Sequence, residues 1–119
     1  MVDLNVLVTR MKGSSASVDK FCNIRKYIPV EEKFKFIKEY DELLKKHIDD
    51  YKNYESFIAF IMFNLLAVKY YTDIDIELTY SEFDVLQEYG IIDKIMESVG
   101  SDYSLLLSIV KMGDGDNED

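Results

Sequence analysis

A mostly α-helical (α+β) domain, with four to five helices around one central apolar helix and a short N-terminal β element, is the fold class that this sequence predicts. Three observations predict it. Residues 30–48 carry apolar side chains at helical spacing between charged ones, residues 57–68 are apolar on nearly every side, and the single proline and the glycines at 90 and 100 punctuate the chain where helices should start and stop. The predicted organisation is one globular domain over 1–112, with a strand and loop segment at 1–28, a helical core at 29–112 and a disordered acidic tail at 113–119.

The first segment alternates, with Val2, Leu4, Val6 and Val8 on one side and Asp3, Asn5 and Thr9 on the other. Period two with β-branched residues predicts a short strand, although Leu7 and Met11 also suit a helix. Gly13 to Ser17 is small and polar, hence a loop. A second extended piece over 21–28 ends at Pro29, since the residue before proline is biased away from helix. Pro29 suits the first position of a helix, and Glu31 and Glu32 follow where carboxylates complement the helix dipole. Val30, Phe34, Ile37, Tyr40 or Asp41, Leu44 and Ile48 form the expected core face. Glu31–Lys35, Asp41–Lys45 and Glu42–Lys46 are the expected surface pairs, each contributing ~0.3 kcal/mol.

Residues 49–53 break that pattern, and 55–71 resumes it as a helix without a polar face, which belongs at the centre of the domain. Truncating Phe60 or Leu65 there to Ala is expected to cost ~3–5 kcal/mol. Thr79 and Glu82 fit a capping box, and the helix that follows is expected to carry Phe83, Val85, Leu86 and Tyr89. Gly90 is its expected stop, 91–99 forms another short helix, and Ser101 caps a last one that turns Tyr103, Leu106, Leu107 and Val110 to the core.

Composition narrows the function classes. Cys22 is the only cysteine, so no intramolecular disulfide forms, which favours a reducing compartment. Residues 1–5 have neither a basic start nor a long apolar stretch and do not read as a secretory signal. The apolar run 57–68 is too short for a bilayer, which takes about 20 residues. Net charge is −9 and unevenly placed: 1–72 holds 12 basic against 10 acidic residues, and 73–119 holds Lys94 and Lys111 against 13 acids. This balance, with a pI near 4.6, opposes nucleic-acid binding and favours a basic protein partner surface. Asp73, Asp75, Glu77, Glu82, Asp84, Glu88, Asp93 and Glu97 form the candidate partner-binding acidic face.

Catalytic and cofactor chemistry finds little to work with. His47, the only histidine, stands far along the chain from Cys22, and zinc requires more Cys and His ligands than these two. Asp73, Asp75 and Glu77 alternate as a calcium loop does, but Leu78 occupies the position where that loop needs glycine. The acids at 114, 116 and 118 begin in a similar way, without room for a twelfth ligand before residue 119. No glycine-rich phosphate loop is present. The expectation is no catalytic residue, no cofactor and no metal.

The run Asn23-Ile24-Arg25-Lys26-Tyr27-Ile28-Pro29-Val30-Glu31-Glu32-Lys33 resembles the extended lead into a helix found in small proteins of tailed bacteriophages and prophages of low-GC bacteria. Lys69-Tyr70-Tyr71-Thr72-Asp73-Ile74 and Tyr89-Gly90-Ile91-Ile92-Asp93-Lys94-Ile95 resemble other segments of that group. Together these cover about half of the chain, and the resemblance transfers no active-site residue. It implies a viral origin and a location in the cytoplasm of an infected host or in the virion. The function expected from it is a non-enzymatic protein-binding component of head or tail assembly. The alternative is an inhibitor of a host defence or nucleic-acid enzyme, acting through the acidic C-terminal half.

Overall fold

Ile61 to Val68 are buried without a break, and the helix that contains them, α3 (Glu55–Tyr71), is the element on which the others pack. The computed structural model describes residues 1–116, with side chains through residue 111. Before α3 come β1 (Val2–Asp3), α1 (Leu4–Met11), a 3-10 turn (Val18–Lys20) and α2 (Val30–His47); after it come β2 (Ile74–Asp75), α4 (Tyr80–Glu88), α5 (Ile91–Val99) and α6 (Ser101–Asp116). The result is the mostly helical fold with a small β element that the patterning predicts. α6 reaches Asp116, into the segment expected to be an acidic tail, and the remainder of that tail, 117–119, lies outside the described residues.

Only the first two residues of the predicted N-terminal strand are extended. The Asp3 carboxylate accepts from the N–H groups of Asn5 and Val6 at 2.9 and 3.1 Å, and this cap turns the chain into α1. Leu4, Leu7 and Val8 are then buried on one helical face, so the 3.6 periodicity wins over the alternation. β1 pairs in parallel with β2, Val2 opposite Ile74 and Asp3 opposite Asp75. The extended piece before Pro29 pairs with the end of α3 instead, through a single antiparallel bridge between Ile24 and Thr72.

α2 forms where expected, with Tyr40 buried and Ile37 and Leu44 packed against the core, but its first two turns show a different face. Lys33, Phe36 and Tyr40 are buried, whereas Val30 and Phe34 are exposed, Phe34 by 67%. Phe36 and Tyr40 pack their rings on Phe63 of α3 at centroid distances of 5.2 and 5.9 Å, edge-on as ring quadrupoles favour. The three expected pairs along the α2 surface are not closed. Glu39 instead reaches α3, accepting from Lys69 at 2.7 Å and the Tyr70 hydroxyl at 2.8 Å. Further on, Thr79 accepts the Glu82 N–H at 3.2 Å, one half of the capping box. Gly90 and Gly100 take φ +71° and +61°, which side-chain-bearing residues rarely adopt, and so set the turns between α4, α5 and α6.

Lys33 is buried because Asp102, in the first turn of α6, lies 2.8 Å from its Nζ; each side chain is over 90% buried. Asp102 also accepts from the Tyr71 hydroxyl at 2.5 Å and from the Ile28 N–H at 3.2 Å, and Lys33 donates to the Ile28 carbonyl at 2.5 Å. The Tyr27 ring covers Lys33 Nζ at 3.8 Å. One carboxylate thus joins the loop before α2, α2 itself, the end of α3 and the start of α6. Burial pushes its pKa up, but the bonds from Lys33, Tyr71 and Ile28 outweigh that and hold it below the ordinary value of 3.8.

Two expectations follow for stability. Asp102→Ala leaves a buried ammonium without its anion and should cost ~3–5 kcal/mol in urea unfolding at pH 7, while Lys33→Met/Asp102→Leu should recover most of that loss. Because the Asp102 pKa is depressed, its contribution is present above pH ~4 and is lost as the pH falls through the native value. The native chain should therefore lose more stability between pH 5 and pH 2 than the double variant; equal acid sensitivity would contradict the assignment. In the core, Leu65→Ala should cost ~2–5 kcal/mol. Phe60 is 41% exposed, which corrects its expected central role, and Phe60→Ala should cost clearly less than Leu65→Ala in the same assay.

Candidate functional site

Where α2 meets α3, the connection over 49–54 carries Tyr51 and Tyr54 outward, and the first two turns of α3 add Phe57 and Phe60. All four are exposed, with Tyr54 at 63% and Phe57 at 57%. The connection closes with Asn53 at φ +73°, a conformation that asparagine tolerates better than most residues. Beside it, α4 supplies Tyr80, Phe83 and Asp84. Tyr51, Tyr54 and Phe57 line an open groove of about 360 Å³ with these three, floored by Ile58 and Ile61, and Phe60 stands beside it.

Asp50 fixes one wall. It lies 2.7 Å from His47 Nδ1, at the end of α2, and accepts from the Tyr80 hydroxyl, in the first turn of α4, at 2.8 Å. The His47 and Tyr80 rings meet edge-on at 5.6 Å, and Tyr51 and Tyr80 at 6.1 Å. The hydrogen bonds from His47 and Tyr80 hold the Asp50 pKa below the usual carboxylate value. Desolvation, followed by the bond to Asp50, pushes the Tyr80 hydroxyl up to about 12. Phe60 continues the aromatic surface, meeting Phe83 edge-on at 6.1 Å.

On its other side Phe60 borders a cleft of about 410 Å³ between α3, α5 and α6, which Tyr40, Phe63, Met96 and Leu107 also line. Its base is the buried pair of Asn64 and Tyr103, in which the Tyr103 hydroxyl donates to Asn64 Oδ1 at 2.9 Å. Asn64 in turn donates to the Phe60 carbonyl at 2.9 Å, so the polar break in the apolar run is satisfied inside the fold.

The candidate acidic face is exposed for the most part but does not act as one unit. Asp75, Glu77, Asp84, Glu88, Asp93 and Glu97 are exposed along β2, the connector, α4 and α5. Asp73 and Glu82 are half-buried: Asp73 accepts the Asn23 N–H at 2.9 Å, and Glu82 stands in the first turn of α4. Only Asp84 borders the aromatic groove, and Lys94 approaches Glu97 at 3.8 Å. Among the described residues no group of three or more His, Cys, Asp or Glu side chains is placed to hold a metal ion, and no helix is long and apolar enough to cross a membrane.

Cys22 and His47 each have local partners. Cys22 is buried with its Sγ 3.5 Å from the Val18 carbonyl, and burial, with the nearby Asp73 and Asp19 charges, pushes its pKa up to about 11. That is the state of an inert core thiol at neutral pH. Sequence patterning misses the groove, because Tyr51 and Tyr54 stand in what reads as a simple break and Phe57 and Phe60 read as core. Four exposed rings within ten positions are the signal that could have found it. Comparison with protein-family models, with curated proteins and with solved structures finds no match.

The carboxylate clamp gives a prediction. Tyr80→Phe removes one bond to Asp50 and should lower the melting temperature at pH 7. The depressed Asp50 pKa means that this bond matters while the carboxylate is ionised, so the gap between native and variant should narrow as the pH falls below the carboxylate range. A gap independent of pH, read by circular dichroism, would remove Asp50 from the account.

Proposed function

We propose that this chain is a non-enzymatic protein-binding component, serving assembly of a phage particle, and that the groove between α3 and α4 is where its partner docks. The observation that carries this reading is the row of exposed rings, Tyr51, Tyr54 and Phe57, around an apolar concavity, which Phe60 extends through its contact with Phe83. Aromatic side chains of this kind are enriched in interfaces, where they supply a large contact area at low entropic cost. Asp84 at the rim suits a partner whose apolar anchor is flanked by Lys or Arg. The particle-assembly part rests on the resemblance of residues 23–33, 69–74 and 89–95 to phage proteins.

Tyr54→Asp/Phe57→Asp changes only exposed rings and should leave the fold intact. In affinity capture from infected cells, the native chain should retain phage head or tail proteins that this variant loses, and antibodies should detect the chain in assembly intermediates or particles. Absence from both, or equal capture by the variant, would sink the reading.

A second reading has its own support. Residues 73–99 hold eight acids against Lys94 alone, and six of those acids are exposed, which suits occupation of a basic surface on a host enzyme. Under that reading, a host nuclease or defence protein would be captured with strong salt dependence, and reversing Asp84, Glu88 and Asp93 to Lys would abolish capture while the aromatic variant would not.

A further inference from the structure

Five aromatic rings and one carboxylate line the groove between α3 and α4, and no base lines it. Tyr54 stands at the N-cap of α3 and Phe57 in its first turn, while Tyr80 and Asp84 are four apart on α4. These spacings put each pair on one side of its helix. The rings of Tyr51 and Tyr80 meet at 71°, so the aromatic lining bends around the groove instead of lying flat.

Charge says what fits there. The face of an aromatic ring is the negative part of its quadrupole and attracts cations. The one charge among the lining residues has the same sign. Asp84 is exposed, and among the described residues its carboxylate has no hydrogen-bond or ion-pair partner. A second carboxylate, Asp50, accepts from the Tyr80 hydroxyl at 2.8 Å and so polarises that ring further. Lys52, the only base in the connection 49–54, is not among the lining residues. An anion finds nothing here to hold it. A neutral apolar group by itself would take water from Asp84 and return no bond. A cation satisfies both the rings and the carboxylate.

Of the two cations that a protein offers at all ordinary pH values, arginine suits the site better. Its guanidinium is planar and weakly hydrated, stacks on ring faces, and presents paired N–H donors that match a carboxylate. A lysine ammonium is compact and strongly hydrated, and gives up more on leaving water.

We infer that the groove seats an arginine side chain of the partner protein. Its guanidinium lies against the aromatic rings and pairs with Asp84, while a neighbouring apolar side chain of the partner covers Ile58 and Ile61. This inference rests on the reading of the groove as a docking surface and names the chemistry that docks there.

The peptide acetyl-Leu-Arg-Leu-amide tests it, titrated into the full chain at constant ionic strength with the ring resonances of tyrosine and phenylalanine as readout. Two control peptides carry citrulline, which keeps the planar side chain without its charge, or lysine. The arginine peptide should shift the Tyr54 and Phe57 resonances and bind about tenfold more tightly than the citrulline peptide, with lysine between them. Asp84→Asn, at an exposed helical position, should reduce that preference to about threefold by weakening the arginine peptide alone. Tyr54→Leu/Phe57→Leu keeps apolar area without the rings and should reduce the preference as well. Equal binding of the arginine and citrulline peptides, a lysine peptide that binds as well as arginine, a preference that both variants keep, or no binding by the arginine peptide would each overturn the inference. None of these outcomes touches the capture experiment with Tyr54→Asp/Phe57→Asp, which alone decides whether the groove docks a partner.

Discussion

The Asp102 carboxylate is the constraint on which the arrangement of the helices depends. It accepts from Lys33, from the Tyr71 hydroxyl and from the Ile28 backbone, and so determines how α2 is rotated and where α6 begins. A buried lysine that loses its partner costs more than most core truncations, so no nearby arrangement of α2 competes once α6 is in place. Replacing such a pair with apolar groups is often neutral for stability, which suggests that the pair specifies the geometry rather than adding to its strength. The rotation it imposes has two effects. Phe36 and Tyr40 turn toward Phe63 of α3, and Val30 and Phe34 turn toward solvent.

The same logic explains the aromatic corner. α3 has more apolar surface than its neighbours cover, and the uncovered part falls at its N-terminal end, where Phe57 and Phe60 emerge. Asp50 closes this end by tying His47 of α2 to Tyr80 of α4. The groove is therefore held by bonds between elements that the core already positions, and it needs no mobile loop to form. Its walls are rings on short tethers, which lose little freedom when a partner covers them.

Much of the fold was legible in the sequence. α3 declared itself through its unbroken apolar run, and α4 to α6 through Thr79, Gly90 and Gly100. What could not be read was long-range. The inward turn of Lys33 depends on an acid 69 positions later, and no local pattern predicts that a lysine will displace Phe34 from the core. The N-terminal segment carried both periods at once, and the Asp3 cap decided between them. Six of the eight acids read as one face are exposed, Asp73 and Glu82 serve the fold in part, and the groove came from residues read as break and core.

The Ile28–Asp102 hydrogen bond spans 74 positions, and that distance sets an order in time. While the ribosome has released α2 and α3 but not α6, Lys33 has no anion to face, and docking α2 in its native rotation would bury a bare ammonium. Emergence of α6 is thus the event that gives Lys33 its anion. A helix late in this order makes an early one final.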